Sequence, residues 1–199
     1  DDIYMNPELF KRVKQVYDEA DSTKLNKEEL KPLENIYKRF ERSGANLSDA
    51  DKEKLRQLNQ EISALQLQFS QNLLYETNNT YVVVDKLSDL DGLPQSDIER
   101  ASAMAAAQGQ PDKWMFNMQR PSCNPVLQYC ENRELREKVY KAYYNRGNQD
   151  NEYDNKAISA KIVALRLEKA KLMGYNNYAE MALEDRMAKT PEAVYNLLD

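Results

Sequence analysis

Between Asp49 and Thr77 the apolar residues Leu55, Leu58, Ile62, Leu65 and Phe69 recur in alternating steps of three and four. That period is the stripe of an amphipathic helix, and it leaves little else for the stretch to become. Ser48 stands before it as a cap, with Asp49 and Asp51 in the first turn. Upstream, Asn26-x-x-Glu29 resembles a capping box, and Leu30, Leu33, Tyr37 and Phe40 follow before Gly44. The heptad-like spacing also suits a coiled-coil dimer, but the repeat is short and the second helix offers a matching stripe. An antiparallel hairpin of these two helices within one chain is therefore expected.

The rest of the 199 residues reads as helix with one interruption. Asn6-Pro7-Glu8 opens a first helix, with Leu9, Val13, Val16 and Ala20 as its stripe and an end near Asp21. Tyr81–Val84 and Trp114–Met118 have the composition of short strands, separated by an Asp-Gly and Pro loop and an alanine-rich helix from Ser96 to Gly109. From Asn124-Pro125 onward the pattern is helical, with breaks at Asn132, Gly147 and Gly174. Asn155–Met173 is apolar on two faces, which predicts a central buried helix. A helix over Asn176–Ala188 and another opened by Thr190-Pro191-Glu192 complete the reading. The fold class is mostly α, a helical array with a long antiparallel helical hairpin and a small two-stranded β element. A sub-boundary falls near 79–120, where the β-containing stretch would act as a connector.

Composition then limits the chemistry. The chain has no histidine, so no Ser-His or Cys-His nucleophile pair, no imidazole base and no imidazole metal ligand can be built from it. Cys123 and Cys130, seven apart, lie beyond disulfide reach if both sit on one helix, and two free thiols are expected. The charge of −5 opposes a polyanion, so nucleic acid is not expected as a partner, even though Arg133–Arg146 interleaves basic residues with three tyrosines. Leu135, Val139 and Ala142 give that segment a core-facing stripe. No apolar run spans a membrane, and the opening residues form no signal peptide.

Other candidate motifs fail on inspection. Ser88–Gly92 is similar to a calcium loop, but aligning Gly92 to the required glycine puts Leu87 and Ile98 at positions that must supply oxygen. Ser159-x-Lys161 spans two residues of a helix, which point to different faces. The acids Glu28, Glu29, Glu34, Glu41, Asp49, Asp51 and Glu53 fall on polar helix faces. Asn46-Leu47-Ser48 and Asn78-Asn79-Thr80 are sequon-like only, with no secretory context around them.

Several blocks occur together in a specific order. They run from Asn6-Pro7-Glu8-Leu9-Phe10-Lys11-Arg12-Val13 through Arg39-Phe40-Glu41-Arg42-Ser43-Gly44-Ala45-Asn46-Leu47 and Asp91-Gly92-Leu93-Pro94. Pro121-Ser122-Cys123-Asn124-Pro125-Val126-Leu127, Asn132-Arg133-Glu134-Leu135-Arg136 and Asn145-Arg146-Gly147 follow. Asp154-Asn155, Leu165-Arg166-Leu167-Glu168-Lys169-Ala170, Leu172-Met173-Gly174-Tyr175 and Met187-Ala188-Lys189-Thr190-Pro191 close the series. The series resembles the N-terminal half of the thimet oligopeptidase and oligopeptidase A family of zinc metallopeptidases, most closely its bacterial peptidyl-dipeptidase branch.

The resemblance implies a helical protein whose two halves enclose a channel for short unfolded peptides. It further implies a zinc ion held by the histidines of a His-Glu-x-x-His helix and a downstream Glu, with the motif's Glu activating water. None of those residues stands in this chain, so no catalytic, cofactor-binding, metal or substrate-binding position is assigned within 1–199. The segment is expected to be scaffold and channel wall, inactive alone, with zinc bound by a missing C-terminal catalytic part and oligopeptides as substrates. A cytoplasmic location is expected, with the periplasm open because the native N-terminus looks absent. The alternative from another class is a free-standing helical interaction module.

Overall fold

The computed structural model describes residues 3–20 and 25–199. Its elements are α1 (Pro7–Asp18), α2 (Lys27–Arg42), α3 (Asp49–Asn79), β1 (Tyr81–Val84), α4 (Gln95–Ala107), β2 (Trp114–Asn117), α5 (Arg120–Tyr129), α6 (Arg133–Tyr144), α7 (Lys156–Leu172), α8 (Tyr178–Leu183) and α9 (Pro191–Leu198). The fold is mostly helical with one small sheet, as expected. Two compact units divide it: the chain up to Ala64 together with Lys161–Asp199, and Leu65–Ala160.

In the first unit the helix starts are chemically defined. The Asn6 side chain accepts from the Leu9 N–H, and Asn26 and Glu29 form a complete capping box. Ser48 Oγ accepts from the Asp51 N–H at the head of α3. α1 ends at Asp18; the expected end at Asp21 lies outside the described residues. α2 packs on α1 through aromatic rings: Phe10 lies 5.9 Å from Phe40, and Tyr17 stacks on Tyr37 at 4.1 Å.

α2 and α3 are consecutive helices joined by residues 43–48, and each meets a further helix. Of the α2 stripe only Phe40 is buried, and its cluster is Phe10 and Ala45. Within this unit α3 is tied to α7 by Lys54–Glu168 at 2.8 Å, Lys169–Asn59 at 2.7 Å and Lys161–Glu61. The buried Leu55, Leu58 and Ile62 and the buried Ile162 and Leu165 lie along these paired stretches. α7 is not central. Val163 and Leu167, on the face away from Ile162 and Leu165, are 66% and 39% exposed, so one of its two apolar faces has no cover here.

α8 is shorter than the Asn176–Ala188 helix expected. Its cap is Asn177, which accepts from Glu180 N–H. At the other end Arg42 Nη2 donates to the Met181 carbonyl at 2.9 Å, taking the acceptor that the next helical N–H would use.

In the second unit β1 and β2 pair antiparallel, with Val82 opposite Phe116 and Val84 opposite Trp114. The buried Ala101 and Ala105 of α4 allow close approach to the sheet. Val84, Leu90, Leu93, Phe116, Val126, Leu135 and Val139 form one core. The stretch 79–120 thus contributes directly to the core of this unit. Cys123 and Cys130 are buried in it as free thiols, and burial pushes both thiol pKa values up.

α5 begins at Arg120, earlier than Asn124-Pro125 suggested, and contains Pro125. Proline cannot donate to the Pro121 carbonyl four residues back, and Arg100 Nη1 does so instead at 3.0 Å.

Two glycines separate strain from clash. Gly92 and Gly109 both have positive φ, but a Cβ at Gly92 would meet the Tyr129 carbonyl oxygen at 2.3 Å, whereas Gly109 has nothing within 4 Å. Gly109→Ala should cost about 1 kcal/mol from left-handed backbone alone, and Gly92→Ala at least about 3 kcal/mol, measured by urea unfolding.

Candidate functional site

Among the described residues no group of three or more His, Cys, Asp or Glu is gathered to hold a metal ion. With no histidine in the chain, the residues present do not fit the zinc site that the resemblance implies.

Several of the motifs weighed from sequence have structural partners. In Ser88–Gly92, Asp89 accepts from Asn132 Nδ2 at 3.1 Å and the Asp91 carbonyl from the Glu131 N–H, so the loop ties down the α5–α6 junction. Lys161 pairs with Glu61, and Ser159 is exposed. Glu29 completes its capping box, and Glu34 sits between Lys31 and Lys38, each at 2.7 Å. The hydrogen bonds from Lys31 and Lys38 hold the Glu34 carboxyl down at about 2.

Leu135 and Val139 of α6 are buried while Tyr140 and Tyr144 are 53% and 64% exposed, so one face is core and the other is surface. Arg146 stacks over Tyr143 at 3.8 Å and donates to Thr77 Oγ1 at 2.7 Å. A hydrogen bond from Arg120 lowers the Tyr143 phenol pKa.

Sequence reasoning missed a buried polar junction in the second unit. Glu76, 3% exposed, accepts from the Gly147 N–H and from Asn151 Nδ2, the latter at 2.8 Å. Asn72 Nδ2 donates to Asn155 Oδ1 at 3.0 Å, and Asn155 Nδ2 donates to the Phe69 carbonyl. Asn72 and Glu76 continue the three-and-four steps beyond Phe69, so the stripe itself marked them as inward-facing.

A second feature is a cleft of about 630 Å3 in the first unit. α2 contributes Lys31, Lys38, Arg39 and Arg42, and the segment after α8 contributes Lys189, Glu184 and Asp185. Within it Glu184 accepts from Arg42 and from the Tyr175 hydroxyl, the latter at 2.6 Å. These bonds, Tyr175 first, lower the Glu184 pKa. Burial, followed by the bond to Glu184, pushes the Tyr175 phenol up to about 12.

The sequence comparisons give these features their setting. Residues 126–199 match peptidase family M3. The chain is 36% identical over 197 residues to the dipeptidyl carboxypeptidase of Escherichia coli, covering 99% of this chain and 29% of that protein. It is 36% identical over 173 residues to oligopeptidase A of Haemophilus influenzae, covering 85% of this chain and 25% of that protein. The organellar oligopeptidase A of Arabidopsis thaliana matches 93% of this chain and 24% of its own length at 32% identity. The comparisons agree with the resemblance to dipeptidyl carboxypeptidases and oligopeptidase A, and the chain spans less than a third of the length of these relatives.

Glu184 carries a pH dependence. Its folded pKa is depressed, so its contribution to stability is present above its unfolded value near 4.5 and is lost as pH falls through the lower folded value. Glu184→Gln should therefore reduce the loss of stability on acidification below about pH 4.5, read as a flatter limb in urea midpoints against pH.

Proposed function

We propose that this chain is the N-terminal helical part of a zinc-dependent peptidyl-dipeptidase that releases dipeptides from the C-termini of oligopeptides. In this reading the chain supplies wall and scaffold, the zinc is held by residues outside it, and the enzyme is cytoplasmic. The observation that carries the reading is the 36% identity to a dipeptidyl carboxypeptidase along 99% of the chain. The helical architecture and the lack of any histidine agree with a scaffold role.

A second reading, an oligopeptidase that cuts internally, draws on the equal identity to an oligopeptidase A. The two differ in whether the enzyme recognises a free C-terminal carboxylate.

The 199-residue chain supplied with zinc should show no peptide hydrolysis. A longer product of the same coding region should release C-terminal dipeptides from N-blocked peptides and lose that activity to a chelator. Chelator-sensitive cleavage by the 199-residue chain itself would overturn the scaffold assignment, and cleavage of C-terminally amidated peptides would favour the internal-cutting enzyme.

A further inference from the structure

We propose that the cleft between α2 and the segment following α8 binds an oligopeptide stretch that carries two or more carboxylates. The identification of the ligand as a peptide, rather than another polycarboxylate, rests on the peptide-processing reading above. The volume of about 630 Å3 lies within the range of ligand pockets, and every lining residue is polar, which selects a polar ligand. Five cationic groups converge on it in a chain whose net charge is −5, so the local field opposes that of the whole molecule.

The cations are held without all being cancelled. Arg39 lies over the Tyr4 ring at 4.2 Å, and Lys189 Nζ donates to the Glu184 carbonyl oxygen at 3.3 Å. Both contacts position a positive charge and leave it positive. Lys31 and Lys38 share the single carboxylate of Glu34. Arg42 is fixed by Glu184 and the Met181 carbonyl and is not a free arm.

The carboxylates of Glu184 and Asp185 decide between anions. A compact polyphosphate brings its whole charge to one place and meets them, whereas a peptide spaces its carboxylates by about 3.3 Å per residue and can set them against Lys31, Lys38 and Arg39. Contacts of this exposed kind are individually weak and screened by salt, so the affinity is the sum of several.

The test is fluorescence polarisation of a labelled, end-blocked hexapeptide containing four glutamates, titrated with the 199-residue chain at low salt. Saturable binding that weakens with added salt is expected, with no binding of the lysine counterpart. Lys31→Glu, Lys38→Glu and Lys189→Glu combined should weaken it about tenfold or more, and the corresponding three Gln substitutions should weaken it less while leaving the circular dichroism unchanged. The same charge change placed at Lys11, Lys86 and Lys138 should have a much smaller effect. Equal loss in that control, undiminished binding in both cleft variants, or saturable binding of tripolyphosphate but not of the acidic peptide would overturn the proposal. Failure of binding beside normal cleavage by the longer protein would sink this inference alone; binding beside absent cleavage would sink the peptidase reading.

Discussion

A helix whose exposed positions are mostly polar can be held only along a narrow stripe, and α3 meets that constraint twice with different chemistry. Its first half buries Leu55, Leu58 and Ile62, with ion pairs from Lys54 and Glu61 to α7 alongside. Its second half places Asn72 and Glu76 on the same stripe, and there the partners are backbone and amide groups of the Gly147–Asn155 segment. The apolar half tolerates any neighbour that excludes water. The polar half does not, because a buried carboxylate without its donors costs several kcal/mol, about 3–5 on removal of a partner. Asn151, whose side-chain amide donates to Glu76, is therefore specified narrowly, while Gly147 is fixed by its positive φ and by the 2.9 Å approach of Asn155 to where a Cβ would stand.

Local chemistry was the legible part of the sequence. Asn6, Asn26, Asn132 and Thr190 cap helices because each places a short side-chain acceptor ahead of a helical run, and their partners lie within three residues. Strands β1 and β2 follow from β-branched and aromatic residues between turns. Contacts between elements were less legible. The packing of α2 on α1 rests on the ring contacts of Phe10 and Tyr17, which period alone does not specify. α5 and α8 departed from expectation for one reason: an arginine distant in sequence, Arg100 or Arg42, takes a helix carbonyl and thereby permits a proline or ends a helix. The basic cleft was equally hidden, since Lys189 lies almost 150 residues from α2.

The two apolar faces of α7 show a limit of another kind. Periodicity reports which residues prefer to leave water, and Val163 and Leu167 satisfy that pattern as well as Ile162 and Leu165 do. It does not report what covers them. The same holds for Tyr140 and Tyr144, whose rings pack together at 4.4 Å on the outer face of α6.

Aromatic packing and arginine stacking order that outer surface of α6 at low entropic cost, because tyrosine has few rotatable bonds and Arg146 is already pinned by Thr77 and the Tyr143 carbonyl. The ionisable groups with resolved shifts follow the same logic. Glu34 is held charged by Lys31 and Lys38 on its own helix, and Glu184 by Tyr175 and Arg42. In each case the partner that shifts the pKa also holds the group in place, and a carboxylate stabilised in this way is a poor general base because the proton it would have to accept is disfavoured.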